Sequence, residues 1–123
     1  MQKITYKYIN LRSLKENTGG IIDIEIELLQ LFGEIVDEFI ATLERELPKK
    51  NWQHLYEAAH KIKPSVTMFG ISSMELTIGE LENNFRREQN LENIDVKVKE
   101  VIGTFKEIKK EIEWELNSLT NSF

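Results

Sequence analysis

The feature that most constrains the fold of this chain is the spacing of its apolar residues, which recur every three or four positions. The clearest example lies in the last third of the sequence, where one seam contains Ile94, Val98, Val101, Phe105, Ile108, Ile112, Leu116 and Leu119. Such spacing places these side chains on one face of an α-helix, whereas a half-buried strand would alternate at every second residue. The pattern predicts one long amphipathic helix in this region.

Three further segments have the same periodicity. Between Ile22 and about Leu47 the stripe consists of Leu28, Phe32, Ile35, Phe39 and Leu43, widened by Leu31, Val36 and Ile40. The first letters of that segment, IDIEIE, alternate as in a strand, but the length of the whole pattern favours a helix. Residues 51–70 form the next helix, and the one after it is marked by Met74, Ile78, Leu81 and Phe85.

Capping residues indicate where these helices begin. Asn51 follows a Pro-Lys-Lys break and is a good N-cap. Ser72 and Glu75 have the spacing of a capping box, in which each side chain satisfies a free backbone donor near the other. Asn90 or Asn93 is expected to cap the last helix.

Glycine and polar residues indicate where the helices end. A short first helix over Leu11 to Glu16 is expected to be ended by Asn17, Gly19 and Gly20. Gly70 can take the left-handed conformation that a helix terminus often needs. Residues 83–93 are polar and are expected to contain the last loop. The chain is therefore predicted to be all-α: an antiparallel up-down four-helix bundle with a short extra N-terminal helix, in one domain over residues 1–123.

The composition narrows the classes of function that are possible for this chain. The chain has 123 residues, of which 41% are hydrophobic and 30% charged, as in a globular protein. It has no cysteine, which excludes disulfides and thiolate metal sites. The net charge of −5 gives no general attraction to nucleic acid. The sequence has no apolar run of the ~20 residues that span a membrane, and MQKITYKYIN lacks the apolar centre of a secretion signal. A cytoplasmic protein is expected, with neither nucleic acid nor membrane as a partner.

The two faces of the helix over residues 51–70 differ in chemistry. One face is apolar and contains Trp52, Leu55, Ala58, Ala59, Ile62, Val66 and Phe69. The other is polar and contains Gln53, Tyr56, His60, Lys63, Pro64 and Thr67, with Glu57 at its edge. Because the apolar face must turn to the core, His60 is expected to be exposed midway along its helix.

An exposed histidine can be a plain surface residue, a metal ligand, or a nucleophile or acid–base group. The metal interpretation is weak, because His54 is not stacked on His60 and no acidic cluster of ligand spacing surrounds it. The sequence has no signature of a serine-type triad or of a glycine-rich phosphate loop. The neighbours of His60 favour the nucleophile: Lys63 lies one turn further on, and its charge disfavours protonation of the ring.

The segment AAHKIKPSVTMFG resembles the phospho-acceptor segment of histidine-containing phosphotransfer (HPt) domains. That family has a lysine three residues after its histidine, then a small pair, and a glycine ten residues after the histidine. The residues that match, together with the apolar pattern before them, are Leu55, Ala59, His60, Ile62, Lys63, Ser65 and Gly70. The family is a four-helix bundle of about this length, often preceded by a short helix, so the resemblance covers most of the chain.

Two positions depart from the family pattern. Pro64 stands where the family usually has a glycine that keeps bulk away from the ring, and Val66 replaces a small residue. Proline inside a helix lacks the N–H that would bond the carbonyl of His60, and a kink is expected. The defect costs around 3 kcal/mol, so a purely structural helix gains little from it.

The resemblance implies a phosphoryl carrier in two-component phosphorelay signalling rather than a kinase with its own nucleotide site. Nε2 of His60 would accept a phosphoryl group from the aspartyl phosphate of a response-regulator receiver domain and pass it to another receiver. One such receiver is expected to belong to a hybrid sensor histidine kinase. No cofactor is expected on this chain, since the magnesium ion belongs to the partner receiver, and the protein is expected to be a monomer.

The polar face is also the expected docking surface for a receiver. Lys63 would steady the phosphoryl group or the receiver by its charge. The surrounding residues expected to make contact are Gln53, Tyr56, Glu57, Lys61, Pro64, Thr67 and Met68. Lys61 and Lys63 give this patch a positive character that suits the acidic pocket of a receiver. Ser65 is expected to point partly toward the bundle and to serve packing.

Two other classes of function stay open. One is a non-catalytic helical interaction module or scaffold with an HPt-like fold, which a missing histidine would favour. The other is a small helical enzyme or metal protein, which an inward-facing cluster of carboxylates and histidines would favour. His60 is present, and the predicted core seams contain no such cluster.

Overall fold

A computed structural model of the chain describes residues 5–121, which contain five α-helices and no strand. The helices are α1 (Leu11–Thr18), α2 (Ile22–Glu46), α3 (Trp52–Met68), α4 (Ser72–Arg87) and α5 (Ile94–Thr120). The four long helices form the bundle, and α1 packs against α2 and α3. The predicted fold class is confirmed.

The core is built from the apolar seams of all the helices. Its largest fully buried side chains include four phenylalanines: Phe32, Phe69, Phe85 and Phe105. The rings of Phe32 and Phe69 stack with their centroids 4.3 Å apart, which joins the central part of α2 to the C-terminal end of α3. Each such side chain contributes roughly 1.5–3 kcal/mol through burial. This packing holds α3 with its polar face outward.

The segment IDIEIE, which alternates like a strand, forms the first turns of α2. Ile22 and Ile24 are both exposed, so its alternation does not define a buried face. Asp23 and Glu25 lie in the first turn, where carboxylates interact favourably with the helix N-terminus. The longer helical period of the segment determines the structure.

The observed starts of the helices agree only in part with those predicted from the sequence. Asn51 caps α3 as predicted, with its side chain accepting from the N–H of His54. The predicted capping box at Ser72 is wrong: Ile71 is the N-cap of α4, it makes no side-chain cap bond, and Ser72 is already helical. Ile71 is fully buried, and packing of this side chain places the helix start one residue earlier than the local motif suggests. Asn93 precedes α5 as predicted but makes no side-chain cap bond.

Gly70 connects the end of α3 to α1. Its φ of +64° lies in the left-handed region, as expected of a residue that ends a helix. The backbone N–H of Asn10 donates to the carbonyl of Phe69 at 2.9 Å. A Cβ atom on Gly70 would lie 2.5 Å from Oγ of Ser13 and 2.7 Å from Cβ of Asn10. Glycine is therefore required here by backbone conformation and also by the close approach of α1.

Candidate functional site

His60 lies on the outer face of α3, as its phase predicts. The core-facing residues Leu55, Ala59, Ile62 and Val66 are fully buried. The side chain of His60 is 68% exposed. The expected solvent exposure of His60 is confirmed.

A carboxylate from the neighbouring helix holds the imidazole. Nδ1 of His60 lies 2.8 Å from Oε2 of Glu82, which is on α4. The side chain of Glu82 is only 14% exposed. An ionised carboxylate can only accept hydrogen bonds, so Nδ1 carries the hydrogen and donates it. In the neutral ring Nε2 then keeps its lone pair, and among the described residues no partner is found for it.

Lys63 pairs with the same carboxylate. Its Nζ lies 3.4 Å from Oε1 of Glu82, so Glu82 bridges the imidazole and the ammonium group. Burial would raise the pKa of Glu82, but the hydrogen bond from His60 and the charge of Lys63 outweigh burial and hold that pKa below its usual value. Glu82 is therefore ionised at neutral pH and can serve as the acceptor for Nδ1–H.

Glu82 is not among the site residues predicted from the sequence. It is 22 residues from His60 along the chain, and the contact exists only because α3 and α4 pack side by side. One signal was available: Glu82 follows the core residue Leu81, which places it next to the buried seam of α4. A carboxylate in that position flanks a neighbouring helix, but the sequence does not say which residue it meets.

The predicted docking residues surround His60 on α3. The ring of Tyr56 stacks on that of His60, with centroids 5.8 Å apart and an interplanar angle of 24°. Gln53 donates to Glu57 at 3.0 Å along the same helix. The exposed members of the predicted set are Gln53, Glu57, Lys61, Pro64, Thr67 and Met68. Helix α3 continues through Pro64, which leaves the carbonyl of His60 without its usual N–H donor.

The two lysines of the site are not free positive charges. Nζ of Lys61 lies 3.2 Å from both carboxylate oxygens of Glu38 on α2. Lys63 is paired with Glu82 on α4. The positive character predicted for this patch is therefore largely balanced by carboxylates from the helices on either side of α3.

An apolar area lies beside the polar face, between α2 and α3. The pair formed by Lys61 and Glu38 marks one level at which these antiparallel helices are adjacent. Seven residues make about two turns and return to nearly the same face, so we infer that Met68 and Leu31 lie near one another two turns from that pair. Their exposures are 37% and 51%. Leu31 belongs to the predicted core stripe of α2, whereas in the structure its side chain is exposed.

The described part of the chain contains neither a metal-binding cluster nor a membrane-spanning helix. Residues 5–121 contain no group of three or more histidine, aspartate or glutamate side chains placed to hold a metal ion. None of the helices formed by these residues is long and apolar enough to cross a membrane. The site thus consists of one exposed imidazole, its carboxylate partner, a lysine and a stacked tyrosine.

An exposed, oriented imidazole with an unpaired ring nitrogen can act as a nucleophile, and comparison with known proteins gives the family of the chain. The sequence model of the Hpt domain family matches residues 27–114. The chain therefore belongs to the Hpt domain family and is a histidine phosphotransfer protein of phosphorelay signalling. The resemblance noted from AAHKIKPSVTMFG is confirmed.

A solved structure shares the fold. The crystal structure of histidine-containing phosphotransfer protein B (HptB) from Pseudomonas aeruginosa PAO1 superimposes with a TM-score of 0.80 at 20% sequence identity. The match covers 93% of this chain and 98% of that one. No curated protein gives a significant sequence match. At this identity the structural likeness concerns the fold, while the family assignment follows from the match over residues 27–114.

Proposed function

We propose that His60 is the phosphoacceptor, and that it takes a phosphoryl group from the aspartyl phosphate of one receiver domain and passes it to another. The observation that carries the proposal is the hydrogen bond between Nδ1 of His60 and Glu82. It leaves Nε2 as a free nucleophile on an exposed ring. Lys63, one helical turn beyond His60, is proposed to contact a phosphoryl oxygen after the attack.

The transfer needs little from this chain beyond orientation and charge. The lone pair of Nε2 attacks phosphorus, and the bond between phosphorus and the aspartate oxygen breaks, which releases a carboxylate on the receiver. The imidazole keeps its hydrogen on Nδ1 and becomes cationic, and the ionised Glu82 balances that charge at 2.8 Å. Phosphoryl transfer depends mainly on alignment and electrostatic stabilisation, and the magnesium ion is expected on the receiver.

The docking surface for a receiver is proposed to extend beyond the polar face. Leu31 and Met68 add an apolar area next to Pro64, and burial of such an area stabilises a complex at roughly 25 cal/mol per Å² before the costs of association. The polar residues around His60 then set orientation. A monomeric carrier with one such face can serve a donor receiver, including that of a hybrid kinase, and an acceptor receiver in turn.

The test is phosphoryl transfer from a panel of receiver domains, each charged with a small-molecule phosphodonor. The wild-type chain should acquire phosphate that is labile in acid and stable in base, and His60→Gln should acquire none. Replacement of an exposed polar-face residue changes stability by only about ±0.5 kcal/mol, so the melting temperature should hold.

His54→Gln is the matched control, because His54 is the other histidine of α3 and also lies next to a carboxylate, that of Glu46. It should accept phosphate at the wild-type rate. Phosphate uptake by His60→Gln at the wild-type rate would show that the acceptor lies elsewhere. If no receiver charges the wild-type chain, the scaffold alternative is favoured instead.

A further inference from the structure

We propose that Glu82 determines how readily phosphorylated His60 gives up its phosphoryl group, by keeping a proton on Nδ1 of the phosphohistidine. The inference rests on the proposed function, since it concerns the same histidine after it has been charged. Three observations carry it: the 2.8 Å contact between Nδ1 and Oε2, the low exposure of the carboxylate, and the exposure of the rest of the ring.

The protonation of Nδ1 decides what leaves when the phosphorus–nitrogen bond breaks. With a proton on Nδ1, the bonding electrons return to Nε2 and a neutral imidazole leaves, while the phosphoryl group passes to a carboxylate oxygen of the acceptor. The hydrogen on Nδ1 stays in place throughout. Without that proton the leaving group is an imidazolate anion, which is a far poorer one.

The charges around the ring favour the protonated form. Glu82 contacts Nδ1 directly, and an anion at hydrogen-bond distance favours a cation next to it. Lys63 opposes this effect, but its ammonium group lies against Oε1 of the same carboxylate. Lys61, the other cation next to His60 in sequence, is paired with Glu38 on the α2 side.

More distant charges on α4 and α3 contribute less. Glu75 lies seven residues before Glu82 and Arg86 lies four after it, so both are on the same side of α4 but at least one turn away. Glu57 lies one turn before His60 and binds Gln53. The direct contact with Glu82 is therefore the largest electrostatic influence on the phosphorylated ring.

Glu82→Gln isolates the charge. The amide oxygen of glutamine can still accept from Nδ1–H, so the orientation of the ring is kept while the negative charge is removed. Removing the adjacent anion disfavours the protonated ring from which the phosphoryl group leaves, so the titration midpoint of the phosphohistidine should fall. At pH values above the wild-type midpoint the release of phosphate should therefore slow, by about tenfold if the midpoint falls by about one pH unit.

The experiment uses the whole chain charged with phosphoramidate, which phosphorylates exposed histidines without a receiver. NMR titration of the phosphohistidine ring and the rate of phosphate loss against pH are measured for the wild type and Glu82→Gln. Glu75→Gln is the matched control, because it removes the same charge from the same side of α4 about two turns away. The control should titrate and hydrolyse as the wild type does.

The outcomes separate the two proposals. Equal midpoints and equal hydrolysis profiles for the wild type and Glu82→Gln would overturn the role of Glu82, whatever receivers do. Failure of His60 to react with phosphoramidate while His54 reacts would also overturn it, because Nε2 would then not be free. If the titration midpoint of the phosphohistidine falls in Glu82→Gln as expected, but no receiver transfers phosphate to the wild-type chain, the role of Glu82 is supported and the proposed relay is contradicted.

Discussion

At the scale of single residues, Glu82 links the two residues of α3 that the sequence singled out. His60 and Lys63 each contact one oxygen of its carboxylate. Lys63 therefore influences His60 partly through Glu82 rather than only by direct repulsion. A lysine that simply extended into solvent would not contact Glu82.

Lys63→Ala is expected to have two effects. The pKa of Glu82 should rise toward its usual value. Burial raises this pKa, and without Lys63 only the interaction with His60 would be left to lower it. Phosphoryl transfer should slow about ten- to a hundredfold if one charge-assisted contact of roughly 1.5–3 kcal/mol is lost. Carbon NMR titration of the Glu82 carboxyl group and single-turnover transfer measure the two effects.

Lys61→Ala is the control for that change, since Lys61 is also a lysine of α3 paired with a glutamate of a neighbouring helix. It should leave the Glu82 titration as in the wild type. If Lys63→Ala changes neither the titration nor the transfer rate, Lys63 is an ordinary surface lysine and His60 acts without it.

The exposed histidine, His60, was thus predictable from the sequence of α3 alone, whereas its partner Glu82 was not. The phase of α3 places His60 outward because seven apolar residues define the opposite face. The contact with Glu82 depends on the relative rotation of two helices, which one sequence does not specify. The exposure of Leu31 was missed for the same reason, since the width of the core stripe on α2 depends on how α3 packs against it.

At the scale of helices, local signals located the elements well and their first residues less well. Asn51 acts as the cap of α3, and its side chain accepts from the backbone N–H of His54. Ser72 does not act as a cap because the buried neighbour Ile71 occupies the capping position. Tertiary packing therefore overrides the capping box at the start of α4.

Gly70→Ala should destabilise the fold. A non-glycine residue in the left-handed region costs roughly 1–2 kcal/mol. The added Cβ would also lie 2.5 Å from Oγ of Ser13, so α1 must shift. Urea unfolding at equilibrium should show a lower free energy of unfolding than the wild type.

Gly79→Ala provides the comparison, because Gly79 is inside α4 and a Cβ there meets nothing within 4 Å. This change should stabilise the protein by about 0.5–1 kcal/mol, the usual gain of alanine over glycine in a helix. A result in which both alanine variants are stabilised would contradict the account of Gly70.

At the scale of the whole molecule, buried carboxylates join the N-terminal segment to α1, α2 and α5. Glu25 on α2 is fully buried, and its Oε1 lies 3.4 Å from Nζ of Lys15 on α1. Glu115 on α5 is also buried and accepts from the hydroxyl of Tyr6 at 3.0 Å. Burial raises the pKa of Glu115, and the nearby charge of Glu25 adds to this effect against the opposing hydrogen bond from Tyr6 and charge of Lys15.

This cluster predicts a dependence of stability on pH. A carboxyl group whose pKa is raised by folding stabilises the native state below its unfolded pKa, and this contribution is lost as the pH rises through the folded pKa. At neutral pH the charge on Glu115 therefore lowers the stability of the native state. Glu115→Gln keeps an acceptor for Tyr6 and removes the charge, so it should raise the free energy of unfolding at pH 7, by less at pH 4.

Urea unfolding at the two pH values measures the effect. Glu113→Gln is the control, since Glu113 is an exposed residue of the same helix, and its replacement should stay within about ±0.5 kcal/mol at both pH values. The opposite result is that Glu115→Gln lowers the free energy of unfolding at pH 7, and lowers it more there than at pH 4. That result would show that the carboxylate stabilises this end of the bundle.

The pairing of both site lysines with carboxylates has a consequence for the cycle of the carrier. Around unphosphorylated His60 the two lysines of the site are each paired with a carboxylate. A phosphoryl group on Nε2 adds negative charge next to these pairs, so its oxygens compete with Glu82 for the ammonium group of Lys63. The loaded and empty carriers therefore present different electrostatic faces from the same backbone. A partner can distinguish the two forms without any movement of the helices. Loss of the phosphoryl group restores the charge distribution of the unphosphorylated carrier.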